Sequence, residues 1–188
     1  SQLETFNRAC AGLTGARSIA NSAGILAWPA SHADYVRPGL MLYGISPMES
    51  GTAADHGLTP VMSLQSRLIA VRQVQKGQPV GYGADWRCPE TMPVGVVAAG
   101  YGDGFPRHAP SGTPVVIKGR RSQLIGKPSM DMLTVDLRGI PDAAVGDPVE
   151  LWGGSLPVEE VARRAGTIPY ELVCAVHKRL KVVVHDAG

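Results

Sequence analysis

Two short turns contain residue types that bind anions. The first is the run ANSAG (20–24) and the second is the run RPGL (37–40). Because the N–H groups at the start of a helix have no partner within it, a turn of small residues before a helix can bind a phosphate. An Asn-Ser pair is also a common helix N-cap, so the first turn alone leaves both interpretations open. The second turn favours the phosphate, since Gly39 permits close approach of the backbone.

Each turn joins a short strand-like segment to a helical one. The strand-like segments are 16–20 and 35–36, and the helical segments are 25–28 and 40–45. In front of them, apolar residues at helical spacing predict an amphipathic helix over 1–13; they are Leu3, Phe6, Cys10 and Leu13. The repeated order of strand, turn and helix predicts an α/β barrel remnant over 1–50, in which two adjacent turns form the usual phosphate site.

The rest of the chain has the pattern of a β domain. Residues 51–57 are small and polar and predict a linker, and 58–188 predict a mostly β C-terminal domain. The strand-like runs lie between Gly, Pro and Asp turns and cover 62–71, 94–98, 114–117, 133–137 and 148–152. One helix is expected at 158–165, where acidic residues come first and basic residues last, in agreement with the helix dipole.

Composition excludes several classes of partner. The 188 residues contain 18 basic and 16 acidic side chains, a net charge of +2, with no dense basic run. We therefore expect no nucleic-acid partner, and without an apolar stretch of about 20 residues we expect no membrane span and a cytoplasmic location. Three cysteines far apart indicate reduced thiols and no metal site. The chain begins with Ser1 inside a predicted helix, and we expect a fragment or a processed chain.

The order of six motifs resembles the alanine racemase family, whose members use pyridoxal 5'-phosphate (PLP). The motifs are ANSA (20–23), VRPGLMLYG (36–44), VGYGA (80–84), AGYGDG (99–104), SMDM (129–132) and TIPYE (167–171). The resemblance implies the last βα units of a TIM-type barrel followed by the C-terminal β domain. It also implies a homodimer in which each β domain completes the active site of the other subunit, with alanine as the substrate.

The resemblance assigns the cofactor-binding residues. Ser22, the N–H groups of Gly39 and Leu40, and the Tyr170 hydroxyl would hold the PLP phosphate, with Asn21 shaping the turn. Taken alone, Tyr170 could equally be a half-buried structural tyrosine.

Arg37 matches the arginine that faces the pyridine nitrogen of PLP, although a surface ion pair is the ordinary role of an arginine. A guanidinium does not give up its proton. The ring nitrogen would therefore stay unprotonated, which weakens PLP as an electron sink.

The resemblance also assigns the proton-transfer and substrate residues. Tyr82 matches the tyrosine that acts as acid and base on one face of the substrate, opposite the PLP lysine. The ordinary alternative is a strand aromatic between bulge glycines. Tyr101 and the backbone N–H of Met130 match substrate-binding positions, and Arg107 and Asp131 are supporting residues that we expect to pair at the substrate gate.

The chain departs from the family pattern in two ways. Ser18 stands where many members have the histidine that supports the pyridine-facing arginine, a feature that resembles catabolic members, so Arg37 would need another support or a water. None of the five lysines lies in the context of the PLP lysine; they are Lys76, Lys118, Lys127, Lys178 and Lys181. We therefore expect that lysine on a complementary N-terminal segment, and no activity from this chain alone.

Three other functions stay open at this stage. A racemase of larger or basic amino acids would share the motifs. The barrel-related PLP decarboxylases usually have an acid at the ring nitrogen and a cysteine at the opposing face, whereas Arg37 and Tyr82 match those positions here. From a different class, the chain could be a non-catalytic β-rich assembly module, because a fold alone does not define a function.

Overall fold

A computed structural model describes residues 1–176 and 179–185 of the chain. It divides into two compact units, Ser1–Met62 (unit 1) and Ser63–Gly188 (unit 2). Within the described residues, no helix is both long and apolar enough to cross a membrane.

Unit 1 begins with helix α1, Gln2–Ala9. Ser1 and Glu4 form a capping box at its start, which satisfies N–H groups that the helix leaves free. The helix ends before Leu13, which is exposed, so the prediction of a helix over 1–13 was too long. Gly12 has a φ of 78°, a left-handed conformation that an α-helix does not contain.

Two extended segments of unit 1 run parallel. Ser18 and Tyr35 form a parallel β-bridge, and the Arg37 N–H donates to the Ala20 carbonyl at 2.9 Å. Helix α2, Ser22–Ala27, follows the first segment, and a 3-10 helix, Leu40–Tyr43, follows the second. The predicted order of strand, turn and helix is therefore present twice, in short form.

The segment that we predicted as a linker is ordered within unit 1. It forms a 3-10 helix, Ala53–His56, whose first residue is buried. Beyond it, the chain packs closely on Gly44, because a Cβ added there would lie 1.7 Å from the Thr59 carbonyl oxygen. The boundary between the units therefore follows Met62 instead of lying within 51–57.

Unit 2 is built on a six-stranded antiparallel sheet. Its strands are β1 Leu64–Val74, β4 Met92–Val97, β5 Pro114–Ile117, β6 Arg120–Gln123, β7 Leu133–Asp136 and β8 Pro148–Trp152. Their order across the sheet is β6-β5-β8-β1-β4-β7. A separate two-stranded sheet consists of β2 Pro79–Val80 and β3 Trp86–Arg87. The prediction of a mostly β domain is confirmed.

The large sheet curls until its two outer strands meet. Leu124 forms an antiparallel bridge with Val135, and the Ile125 N–H donates to the Thr134 carbonyl at 2.9 Å. Strand β1 has two register shifts, near Leu64 and near Leu68, and such irregularities increase the bend of a strand. Closure of this kind leaves fewer unpaired strand edges.

The inner face of the curled sheet is apolar. Alternate residues of the strands are buried there; the largest fully buried side chains include Leu68, Met92, Ile117, Leu133, Leu151 and Trp152. Two helices, α3 Val158–Ala165 and α4 Pro169–Cys174, follow the last strand. Helix α3 buries Val158, Val161, Ala162 and Ala165, which is the apolar face that the sequence predicted.

Gly44 and Gly57 allow a matched test of packing in unit 1. Both end a 3-10 helix in the left-handed conformation, with φ of 65° and 66°, but a Cβ on Gly57 would meet nothing within 4 Å. We expect Gly57→Ala to cost about 1 kcal/mol from the backbone conformation alone. Gly44→Ala should cost distinctly more, because it also collides with the backbone at Thr59. Urea unfolding of both variants measures the difference, and equal losses would contradict this packing.

Candidate functional site

Unit 1 joins its two turns through one buried hydroxyl. Ser22 is 2% exposed, and its Oγ accepts the Gly39 N–H at 2.8 Å and the Met41 N–H at 3.4 Å. Asn21 is the N-cap of α2, where its Oδ1 accepts the Gly24 N–H at 3.0 Å. The second turn thus lies directly against the first, as the parallel β-bridge requires.

The two turns form a cradle that suits a phosphate. The cradle consists of the Ser22 hydroxyl, Gly39 and the N–H groups at the start of the 3-10 helix Leu40–Tyr43. The Leu40 N–H has no partner within the helix, whereas the Gly39 N–H, which we expected to bind a phosphate, donates to Ser22 Oγ in this structure, as does the Met41 N–H. A Cβ on Gly39 would lie 3.9 Å from Ser22 Oγ, so any side chain there would enter the space beside the hydroxyl. Hydroxyl and backbone donors around an open glycine are the donor set that phosphate oxygens accept from.

Ser18 holds the side chain of Arg37 beside this cradle. Arg37 Nη1 donates to the Ser18 carbonyl at 2.9 Å and to Ser18 Oγ at 2.8 Å. We expected Arg37 to need another residue or a water in place of the family histidine. Ser18 itself provides that support, because it supplies two acceptors. Unlike a histidine, neither acceptor titrates near neutral pH.

Unit 2 brings a second group of the predicted residues together. The loop 100–104 follows β4 and includes Tyr101, whereas the loop 129–132 precedes β7 and includes Met130 and Asp131 at its tip. The Tyr101 N–H donates to the Ser129 carbonyl at 3.0 Å, and the Gly102 N–H donates to the Met130 carbonyl at 2.8 Å. The loops are therefore paired through their backbones.

The supporting residues of this group are arranged differently from our prediction. Asp131 pairs with Arg179 at 2.5 Å, and not with Arg107. Arg107 lies over the ring of Tyr101, with 5.9 Å from its guanidinium carbon to the ring centroid. This is the distance of a cation–π contact. The predicted pair of Arg107 and Asp131 was wrong because a cation from the far end of the chain occupies the carboxylate.

Arg179 is the residue of this group that sequence reasoning missed. Its Nε also lies 2.8 Å from Asp103, whose other oxygen accepts the Gly100 N–H at 2.9 Å. The hydrogen bond with Asp131 raises the pKa of Arg179, which stays charged. No local signal could have found it, since 48 residues separate it from Asp131.

Tyr82 and Tyr170 are both exposed at the surface of unit 2. Tyr82 is 66% exposed and begins a 3-10 turn, Tyr82–Ala84, so it is not the strand aromatic that was the ordinary alternative. Tyr170 lies in the first turn of α4 and is 42% exposed. Within the described residues, neither side chain makes a hydrogen bond or ion pair with the group around Asp131. Exposed hydroxyls of this kind are available to a ligand or to another surface.

Comparisons with known proteins agree across both units. The family models for the N-terminal and C-terminal domains of alanine racemase match residues 1–47 and 61–184. The alanine racemase of Halorhodospira halophila is 61% identical over 180 residues, which are 96% of this chain and 50% of that protein. The chain belongs to the alanine racemase family.

Solved structures give the same result. The biosynthetic alanine racemase of Pseudomonas aeruginosa superposes with a TM-score of 0.92 at 52% identity, covering 95% of this chain and 50% of that one. The enzyme of Bartonella henselae, solved with covalently bound pyridoxal phosphate, has a TM-score of 0.87 at 33% identity, with 96% and 50% covered. The chain spans about half the length of the curated relatives it matches. The likeness to catabolic members, drawn from Ser18, stays a prediction.

A substitution at Gly100 tests how closely the two loops of unit 2 pack. A Cβ there would lie 2.3 Å from the Ser129 carbonyl oxygen and 2.4 Å from that of Met130. We expect Gly100→Ala to lower the free energy of unfolding by about 1–3 kcal/mol through overpacking. Gly139→Ala is the control, since a Cβ there meets nothing within 4 Å. If urea unfolding gives the same loss for both variants, the close approach of the loops is not real.

Proposed function

We propose that this chain is the C-terminal half of a PLP-dependent alanine racemase that interconverts L- and D-alanine. The observation that carries the proposal is the cradle of unit 1, in which the buried Ser22 hydroxyl and the backbone of Gly39 lie beside an arginine held by Ser18. Hydrogen-bond donors that can bind a phosphate, together with the Arg37 guanidinium held by Ser18, suit a phosphorylated cofactor that has a ring nitrogen. The membership of the family supports the same assignment.

Each residue of the cradle has a separate task in this proposal. The Ser22 hydroxyl and the Leu40 N–H would bind the phosphate, Gly39 would leave room for it beside Ser22, and Asn21 would shape the turn that presents Ser22. Outside the cradle, Tyr170 of unit 2 would donate a hydrogen bond from its hydroxyl to the phosphate. Arg37 would face the ring nitrogen and leave that nitrogen unprotonated, because a guanidinium does not release a proton.

In this proposal the residues of unit 2 bind the substrate and exchange its α-proton. When bound, PLP withdraws electron density from the substrate α-carbon and so makes its proton easier to remove. Tyr82 exchanges that proton on one face of the α-carbon and a lysine exchanges it on the other. Inversion needs one proton-transferring side chain on each face. The backbone N–H of Met130 binds the substrate carboxylate. Tyr101, whose ring lies under the Arg107 guanidinium, borders the entrance through which the substrate reaches the site.

We also propose the assembly in which these parts act. Unit 1 is the last part of an α/β barrel, with support from its parallel β-bridge, and unit 2 is the C-terminal domain. Two copies form a cytoplasmic homodimer, and unit 2 of one copy contributes Tyr82, Tyr101 and Met130 to the site of the other. Their exposure of 66%, 41% and 52% is consistent with such a role.

The PLP lysine lies outside unit 1 in this proposal. Residues 1–62 contain no lysine. In unit 2, Lys118 is paired with Asp142 and Asp147, and Lys127 is paired with Asp85. A Schiff base requires a free amine. None of the five lysines of this chain lies in the sequence context of the family's PLP lysine, so we place that amine on a complementary N-terminal segment.

A hybrid racemase tests the proposed function. The half of the H. halophila relative that precedes the matched region is joined to Ser1 of this chain. We expect the hybrid to carry one covalent PLP per chain after borohydride reduction, by intact mass, and to convert L-alanine to D-alanine. The 188-residue chain alone should do neither. A hybrid that binds PLP but racemises only larger amino acids would contradict alanine as the substrate, and a folded hybrid without PLP would favour a non-catalytic module.

Tyr82→Phe in the hybrid tests the proton-transfer role. The variant loses only the hydroxyl, so we expect PLP binding to stay unchanged while kcat falls in both directions by about 100-fold or more. Tyr43→Phe is the control, because Tyr43 is an exposed tyrosine of unit 1 with no role in the proposal. Coupled assays of D-alanine and L-alanine formation measure both variants. Near-normal turnover of Tyr82→Phe would remove Tyr82 from the reaction.

A further inference from the structure

Arg179 contacts both loops that contain the predicted substrate residues of unit 2. Its Nε lies 2.8 Å from Asp103 Oδ1 in the loop 100–104, and its Nη2 lies 2.5 Å from Asp131 Oδ1 in the loop 129–132. A planar guanidinium presents donors in fixed directions, which suits two carboxylates at once. One side chain therefore sets the distance between the tips of the two loops.

The contacts with Asp103 explain how Arg179 is itself held. The side chain of Asp103 is only 8% exposed, and its second oxygen accepts the Gly100 N–H at 2.9 Å. Arg179 Nη1 lies so close to the backbone that a Cβ on Gly102 would approach it to 2.7 Å. The guanidinium is thus fixed against the first loop, and a charged hydrogen bond to a largely buried carboxylate is among the stronger ones.

Asp131 is the exposed partner in this arrangement. Its side chain is 59% exposed and would be free to move without Arg179. It directly follows Met130, whose carbonyl accepts the Gly102 N–H at 2.8 Å. The Met130 N–H shares its peptide group with the Ser129 carbonyl, which accepts the Tyr101 N–H at 3.0 Å. If the pair with Arg179 is lost and the two loops separate, this peptide group loses its partner and can turn.

We propose that Arg179 is a positioning residue for the substrate carboxylate: by holding Asp131 against Asp103 it fixes the direction of the Met130 N–H. The inference rests on the proposed function, in which that N–H binds the carboxylate of alanine. Arg179 does not touch the substrate. It acts through the loop 129–132, and its effect falls on binding of the carboxylate more than on proton transfer.

Arg179→Met in the hybrid racemase separates these effects. We expect KM for alanine to rise about tenfold, the size of one lost hydrogen bond to a charged group, while kcat changes much less. The inhibition constant of acetate should rise by the same factor, because acetate offers only a carboxylate. Arg121→Met is the matched control, since Arg121 forms a forked pair with Glu160 away from both loops. It should leave both constants unchanged.

Two further variants show whether Arg179 acts through Asp131. Arg179→Lys keeps the positive charge but loses the guanidinium, whose separate N–H groups contact the two aspartates. We therefore expect an intermediate rise in KM for alanine and in the inhibition constant of acetate. Asp131→Asn should resemble Arg179→Met, and the double variant should be no worse than either single one, because both changes break the same contact. Additive effects, or unchanged constants in Arg179→Met, would overturn the inference.

Amide exchange of the 188-residue chain provides a readout without cofactor or substrate. The N–H groups of Tyr101 and Gly102 donate across the two loops. In Arg179→Met we expect them to exchange with solvent about tenfold faster, and in Arg121→Met to exchange at the normal rate. If the unaltered hybrid does not racemise alanine, the proposed function fails and the substrate role fails with it. The exchange rates then still decide whether Arg179 joins the loops, and unchanged rates would show that it does not.

Discussion

The register between β4 and β7 governs the arrangement of unit 2. Val97 pairs with Leu133, so the chain leaving β4 and the chain entering β7 meet at the same edge of the sheet. A shift of one residue would turn Val97 and Leu133, 0% and 1% exposed, from the core to the outer face. Burial therefore fixes the register, and the register brings Tyr101 beside Ser129 and Met130.

A similar constraint operates in unit 1 with far fewer residues. A single parallel bridge, Ser18 to Tyr35, aligns the two extended segments. Because parallel segments end in the same direction, the turn after each lies at the same end, and the Ser22 hydroxyl then joins them through Gly39. The same alignment brings Arg37 next to Ser18. The arrangement of the cradle and the position of the Arg37 side chain therefore both follow from the one parallel bridge.

The elements that the sequence predicted well are those whose signal is local. Strands β5 and β8 and helix α3 begin and end where their apolar patterns do. Strand β6 was missed because its residues, RRSQ, include none that is apolar. It is a strand only because β5 pairs with it along one side and the chain beyond it returns to Val135. The linker was predicted from small polar residues, yet that segment forms a 3-10 helix with a capping box at Thr52.

The sequence by itself determined the family, the two turns of unit 1 and the residue types of the candidate site, because these depend on motifs and on neighbours along the chain. It did not determine which charged side chains meet. The resemblance led us to expect a pair of Arg107 and Asp131, but the fold places Arg107 over Tyr101 and brings Arg179 to Asp131. Ser18 likewise becomes the support of Arg37 only through a bridge between distant segments. Ion pairs require distances of a few ångströms, and for residues far apart in the chain only the tertiary structure decides those distances.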